Sequence, residues 1–88
     1  MDESLHARIQ HEIAELRAAY PRIAHCHGAL EDWDEGGERR YAMRLDIRWP
    51  QHQTLLTGGA HPDPYSALRA AFDAAARHIA QAYPHAAP

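Results

Sequence analysis

The sequence predicts an α+β domain in the order α-β-β-β-α, with two helices packed on one face of a three-stranded antiparallel sheet. Apolar residues recur with a period of 3.6 in the first and last segments, and with a period of two in the segments between them. Each predicted helix has one apolar stripe and the sheet has one apolar face. Both helices should therefore cover the same side of the sheet and leave its other side in water.

The segment 64–83 predicts the longer helix. Asp63 is a suitable N-cap, and Pro64 fits the first helical position because no backbone donor is lost there. Pro84 should end the helix, because proline disfavours helical geometry in the residue before it. The apolar stripe comprises Tyr65, Leu68, Phe72, Ala75, Ala76, Ile79 and Tyr83. The opposite side carries the i, i+4 series Arg69, Asp73 and Arg77.

The segment 3–20 predicts the first helix, with Asp2 as its cap and Pro21 at its end. Glu3 in the first turn suits the positive end of the helix dipole. One face of this helix is apolar, formed by Leu5, Ile9, Ile13, Leu16 and Tyr20.

The three strands are predicted at about 22–31, 39–49 and 53–58, and residues 31–38 are predicted as the first turn. The second strand has the clearest alternation. One face of it carries Tyr41, Met43, Leu45, Ile47 and Trp49, and the other carries Arg40, Ala42, Arg44, Asp46 and Arg48. The third strand alternates poorly, and Leu55 is the residue predicted to reach the core. The first strand contains Gly28, which we expect to weaken it because glycine has no side chain to pack.

Length and composition indicate one small domain spanning 1–88. The net charge is −3 with all eight histidines neutral, and all nine basic residues are arginines. The single cysteine, Cys26, excludes an intrachain disulfide. Neither a signal peptide nor a membrane-spanning apolar stretch is visible, so we expect a cytoplasmic protein with no membrane partner.

The sequence indicates no metal site, no cofactor and no catalytic site. His25, Cys26 and His27 could be read as ligands, but in a strand the two histidines share one face while Cys26 points to the other. The acidic turn 31–38 lacks the ligand spacing of a calcium loop. No spacing of a nucleophile and a base, and no glycine-rich phosphate loop, indicates an enzyme. These side chains are expected to be ordinary surface and core residues.

The uncovered face of the sheet is predicted to carry Arg40, Arg44 and Arg48, with His25 and His27 beside them. It is the only concentrated positive feature in the sequence. One interpretation is a surface that contacts phosphates. An ordinary solvated sheet face explains the same pattern equally well.

The sequence resembles the family of ribosome hibernation-promoting factors and ribosome-associated inhibitors, also called sigma-factor modulation proteins. The resemblance lies in ARIQHEIAELRAAYPRI at 7–23, Cys26 in the following strand, the strand ending in RYAMRLDIRWP with its preceding arginine, and DPYSALRAAFDAAARHI at 63–79. The last of these segments is the most specific. The resemblance covers nearly the whole chain and contains no invariant catalytic motif.

The resemblance implies an RNA-binding translation regulator of stressed cells that associates with the small ribosomal subunit. Applied to this sequence, it makes Arg40, Arg44, Arg48, Arg69 and Arg77 the expected phosphate contacts. The usual family domain begins with a further strand, and the order seen here without that strand has the topology of a double-stranded-RNA-binding domain. The helices are also less basic than is typical of the family. The alternative is therefore a non-enzymatic protein–protein interaction module that kept the fold and lost RNA binding.

A homodimer is also predicted. The strand 22–31 is expected at the edge of the sheet, where its backbone donors and acceptors would form a template for another chain. A second copy of the chain could pair with it antiparallel across a two-fold axis.

Overall fold

The computed structural model describes residues 3–82 and has the predicted order of elements. The helices are α1 (Glu3–Ala19) and α2 (Pro64–Ala82). The strands are β1 (His25–Glu35), β2 (Glu38–Trp49) and β3 (His52–Thr57). They form one antiparallel sheet in the order β1-β2-β3. The α+β fold predicted from the two periodicities is confirmed; the predicted Asp2 cap, Tyr83 and Pro84 lie outside the described residues.

The core lies between the sheet and the two helices. On β2 the apolar residues Met43, Leu45, Ile47 and Trp49 are buried beneath the helices. The buried stripe of α1 is Leu5, Ile9, Ile13 and Leu16, as predicted, and that of α2 is Ala67, Leu68, Ala71, Phe72, Ala75 and Ile79. Because small alanines lie among the larger residues, α2 can approach β2 closely. Tyr65, predicted in the stripe of α2, is instead 43% exposed.

The start of α2 follows the predicted capping chemistry. The Asp63 side chain accepts hydrogen bonds from the Ser66 backbone N–H at 2.8 Å and from the Ser66 hydroxyl at 3.1 Å. The Ala67 N–H donates to the Asp63 backbone carbonyl at 3.1 Å. These contacts satisfy donors that the first helical turn leaves without partners, which fixes the beginning of α2.

The first strand differs from its prediction at both ends. It begins at His25 and continues to Glu35, so most of the predicted turn 31–38 is part of a long hairpin. The turn itself is Gly36–Gly37, with φ values of +60° and +85°. Glycine adopts such angles readily, and a two-residue turn of this kind matches the twist of the flanking strands. We call residues 31–40 the hairpin arm.

The hairpin arm extends past the helices. Asp32, Asp34 and Arg39 lie on the side of the sheet that the helices cover elsewhere, yet all three are exposed. The Arg39 guanidinium bonds Asp32 at 2.9 Å and Asp34 at 3.2 Å. The arm contributes to an elongated shape, with dimensions of 45 × 23 × 18 Å.

Gly28 has a specific packing role, which corrects the expectation that it only weakens the strand. A Cβ added there would lie 2.5 Å from Met43 Cε, 3.1 Å from Leu45 Cδ2 and 3.6 Å from Ile9 Cγ2. The glycine therefore makes room where α1 and two core residues of β2 converge on β1.

The predicted core position in β3 was wrong by one residue. Leu56, paired with Leu45, packs against the core, whereas Leu55, paired with Asp46, is 67% exposed on the other side. Two adjacent leucines must point to opposite faces of a strand, and only the register with β2 decides which of them is inside.

Candidate nucleic-acid interface on the open face of the sheet

The side of the sheet opposite the helices is exposed to solvent, and we call it the open face. The cross-strand register places fifteen residues on it: His25, His27, Ala29, Glu31, Trp33, Glu35, Glu38, Arg40, Ala42, Arg44, Asp46, Arg48, Gln53, Leu55 and Thr57. Three of the five predicted RNA-binding residues, Arg40, Arg44 and Arg48, therefore share this surface, as the alternation of β2 indicated.

Each of the three arginines on the open face has a carboxylate partner. Arg40 bonds Glu38 at 2.9 Å and lies 3.7 Å from Glu35. Arg44 reaches across to Glu31 on β1 at 2.8 Å. With the histidines neutral, three arginines against four carboxylates leave the open face with a net charge of −1.

The third arginine belongs to a network around Asp46. Arg48 donates to Asp46 at 3.1 Å, and the Gln53 amide donates to the same carboxylate at 3.1 Å. The bonds from Gln53 and Arg48 lower the pKa of Asp46 below its ordinary value, because they favour the ionised form. This carboxylate is thus held in place as an anion at the centre of the open face.

The remaining two predicted RNA-binding residues do not join this surface. Arg69 and Arg77 are exposed on α2. The opposite side of α2 packs on the face of β2 that the helices bury, which we call the covered face. The five arginines therefore form two separate surfaces that face away from one another. An RNA that touches both would have to lie on two sides of the domain.

Two features of the open face were missed by the sequence analysis. Trp33 was placed in an acidic turn, but it lies in β1 directly opposite Arg40 and is half-buried. Ala42, which the alternation of β2 placed on this face, is only 4% exposed, although the face was expected to be in water. The period-2 alternation, extended to Glu35, is the signal that could have placed Trp33 correctly.

The histidines lie as the strand geometry predicted. The rings of His25 and His27 are stacked on the open face with centroids 6.4 Å apart, and the half-buried Cys26 packs against the core on the other side. Burial raises the pKa of the Cys26 thiol above its ordinary value. The three side chains do not converge on one point.

A second group of potential ligands lies on α1, away from the sheet. His11, Glu12 and Glu15 hold their ligand atoms within 4.8 Å of one another. The His11 and Glu15 side chains are both exposed and lie 3.0 Å apart. An i, i+4 pair on the surface of a helix accounts for this arrangement without an ion.

The open face also has a shallow concavity of about 200 Å³, bordered by His27, Arg44, Leu55 and Thr57 among others. Pockets for small ligands usually enclose about 300–1,000 Å³. A flat, charged surface suits an extended partner better than a small molecule.

No helix within residues 3–82 has the length and apolar character needed to cross a membrane. Comparison of the chain with protein-family models, with curated proteins and with solved structures finds no match in any of the three. The resemblance to hibernation factors therefore remains a prediction.

Proposed function

We propose that this protein is an RNA-binding translation regulator of the hibernation-factor type, which associates with the small ribosomal subunit of stressed cells. One observation carries the proposal. Arg40, Arg44 and Arg48 lie at four-residue intervals on one solvent-exposed sheet face. Arginine forms bidentate contacts with phosphate, and a regular row of arginines suits a polymer that presents phosphates at regular intervals.

The carboxylate partners of these arginines do not block the role. Arg44 and Glu31 are 59% and 46% exposed, so their contact is a surface ion pair. Such pairs contribute about 0–1 kcal/mol and weaken with salt. An RNA backbone offers several phosphates together and releases counterions when it is bound, so it can displace carboxylates that single anions would not.

Co-sedimentation with small ribosomal subunits tests this function and separates the two arginine surfaces. We expect the protein to pellet with subunits at about 50 mM salt and much less at about 200 mM. The triple variant Arg40→Gln, Arg44→Gln, Arg48→Gln should lose pelleting. The matched control is the double variant Arg69→Gln, Arg77→Gln, which removes the arginines of α2. It should pellet as the unaltered protein does if RNA contacts only the open face, and less if RNA also contacts α2. Failure of the unaltered protein to pellet at low salt would contradict the proposal.

The second candidate function is a protein–protein interaction module. The observation that favours it is the complete pairing of the three open-face arginines with carboxylates, which gives a mixed surface rather than a basic one. Mixed surfaces of this kind suit a protein partner with complementary charges. Pelleting that survives the triple arginine substitution and treatment of the subunits with ribonuclease would support this function over RNA binding.

A further inference from the structure

The hydrogen bonds made by β2 show which residues of β3 direct their backbone groups away from the sheet. Gly58 N–H donates to Met43 O at 3.2 Å, and Tyr41 exchanges two bonds of 2.8 Å with His61. The odd-numbered residues of β2 therefore direct their backbone groups towards the β3 side. Because direction alternates along a strand, Gln53, Leu55 and Thr57 of β3 direct their N–H and C=O groups away from β2.

The side chains of this edge offer no protection against another strand. Within His52–Thr57 there is no Asp, Glu, Lys, Arg or Pro, the residues that commonly guard an edge. At its centre Leu55 is 67% exposed, the most exposed large apolar side chain among residues 3–82. The strand therefore has no carboxylate, lysine or arginine, is apolar at its middle and includes two threonines, which favour sheet structure.

The other edge, on β1, is guarded in two ways. By the same alternation its outward-directed residues are Cys26, Gly28, Leu30, Asp32 and Asp34, which include two carboxylates. The helix α1 also packs over this strand, with Ile9 3.6 Å from the position that a Gly28 Cβ would occupy. If two copies of the chain paired through β1, the α1 helix of one copy would meet the α1 helix of the other across the two-fold axis. Of the two edges, β3 is the better suited to self-association.

We infer that two copies of this chain associate through antiparallel pairing of β3 with β3, centred on Leu55. In this register Leu55 faces its own copy across the two-fold axis. Gln53 then opposes Thr57 of the second copy, and Thr54 opposes Leu56 of the second copy. Every pair joins uncharged side chains, so no like charges meet. The result is one six-stranded sheet whose open face carries two arginine rows.

The helix side of the edge supports the same arrangement. Leu56 packs against the core but is only half-buried, and Thr54 Oγ1 lies 3.2 Å from His78 Nε2 of α2. The buried stripe of α2 packs mainly on β2, so the two copies of α2 would be separated by both β3 strands. Pairing would cover the remaining exposed part of Leu56 without a clash between helices.

The interface is small, so we expect weak association. A pair of six-residue strands falls below the about 1,200 Å² of a stable interface. Sedimentation equilibrium at about 10–1,000 μM should therefore show a reversible monomer–dimer equilibrium of the complete chain. A monomer throughout this range would overturn the inference.

A charge-exchange experiment tests both the edge and the register. Leu55→Lys and Leu55→Glu should each weaken dimerisation on the order of tenfold or more, because like charges then face each other on the axis. Mixing the two variants should restore the dimer, because an ammonium group from one copy then faces a carboxylate from the other. Each monomer should keep its fold by circular dichroism, since Leu55 is exposed. A mixture no more dimeric than the separate variants would overturn the inference.

Proline substitutions provide the matched control. Leu55→Pro removes an outward-directed N–H and should abolish dimerisation. Asp32→Pro removes an outward-directed N–H at the β1 edge, together with the exposed ion pair to Arg39, and should leave dimerisation intact. The reverse result would assign the dimer to β1, which contains most of the strand 22–31 that the sequence predicted as the interface. Because ribosome pelleting depends on the open-face arginines, a monomeric protein that still pellets would refute only the dimer. A dimer that does not pellet would refute only the proposed function.

Discussion

The two faces of β2 are built from alternate residues of one strand and are held in place by different forces. Met43, Leu45 and Ile47 are almost completely buried beneath the helices. Arg44 and Arg48, their immediate neighbours along the chain, are exposed and bond to carboxylates. The comparison shows that burial fixes the covered face, while the open face can exchange its contacts at little cost.

The largest expected effect is a loss of stability when the covered face is cut back. Leu45→Ala should lower the free energy of unfolding by about 2–5 kcal/mol, because it removes buried methyl groups and leaves a cavity. Urea denaturation at pH 7 measures the change. The control is Arg44→Ala, one residue away on the open face, where the loss should be at most about 1 kcal/mol. Equal losses would contradict the contrast between the faces.

A smaller effect is expected at the tightest contact of the covered face. Gly28→Ala should cost about 1–3 kcal/mol, because the added methyl group overlaps Met43 Cε. The same substitution in a Met43→Ala background should cost clearly less, since the closest of the three neighbouring atoms is then removed. Denaturation of the four proteins in this double-mutant cycle measures the coupling. An unchanged cost in the second background would show that Met43 is not the obstacle.

The ion pairs of the open face should show smaller coupling free energies than the contact between Gly28 and Met43. A double-mutant cycle with Arg44→Gln and Glu31→Gln should yield a coupling of about 0.2–1 kcal/mol between the two side chains at low salt. It should shrink as salt is added, because exposed charges are screened. A coupling above this range, or one insensitive to salt, would mean that the pair is shielded from solvent.

The smallest effect concerns the pH dependence contributed by Asp46. Bonds from Gln53 and Arg48 hold its pKa below the ordinary value, so the interaction stabilises the fold above the unfolded-state pKa of about 3.9. This contribution is lost as the pH falls through the lower folded-state pKa. Asp46→Asn should therefore be less stable than the natural protein at pH 7, with the difference closing below about pH 4. A constant difference would rule out ionisation as its cause.

Sequence periodicity identified most of the large residues on the covered face. The stripes of both helices and the alternation of β2 were sufficient there because apolar burial leaves a regular pattern, but Ala67 and Ala71 are buried in α2 and were absent from its predicted stripe. Tyr65 was predicted in that stripe but is exposed, since the first turn of α2 lies near the end of the core. At Leu55 and Leu56 the pattern was ambiguous, and the register that decides between them depends on contacts distant in sequence.

The open face was predictable only in part. Alternation correctly placed Arg40, Arg44 and Arg48 together, but not their carboxylate partners, since pairing across strands depends on the turn. The acidic segment Glu31–Glu35 resembles a solvated loop by composition. It is a strand because the two glycines at 36–37 make a tight turn and the opposing strand supplies Arg39 and Arg40. This part of β1 is supported by ion pairs across the strands rather than by apolar burial, so an apolar pattern could not predict it.

The hairpin arm has a practical consequence for engineering the protein. Gly36 and Gly37 are exposed at its tip, and neither would bring an added Cβ within 4 Å of another group. Exposed turns with small residues tolerate inserted sequence best. A peptide epitope or a fluorophore-binding tag inserted between these glycines would lie beyond the helices and beyond the end of β3, away from its outer edge. It could report on the protein in cells while both faces of the sheet keep their natural residues.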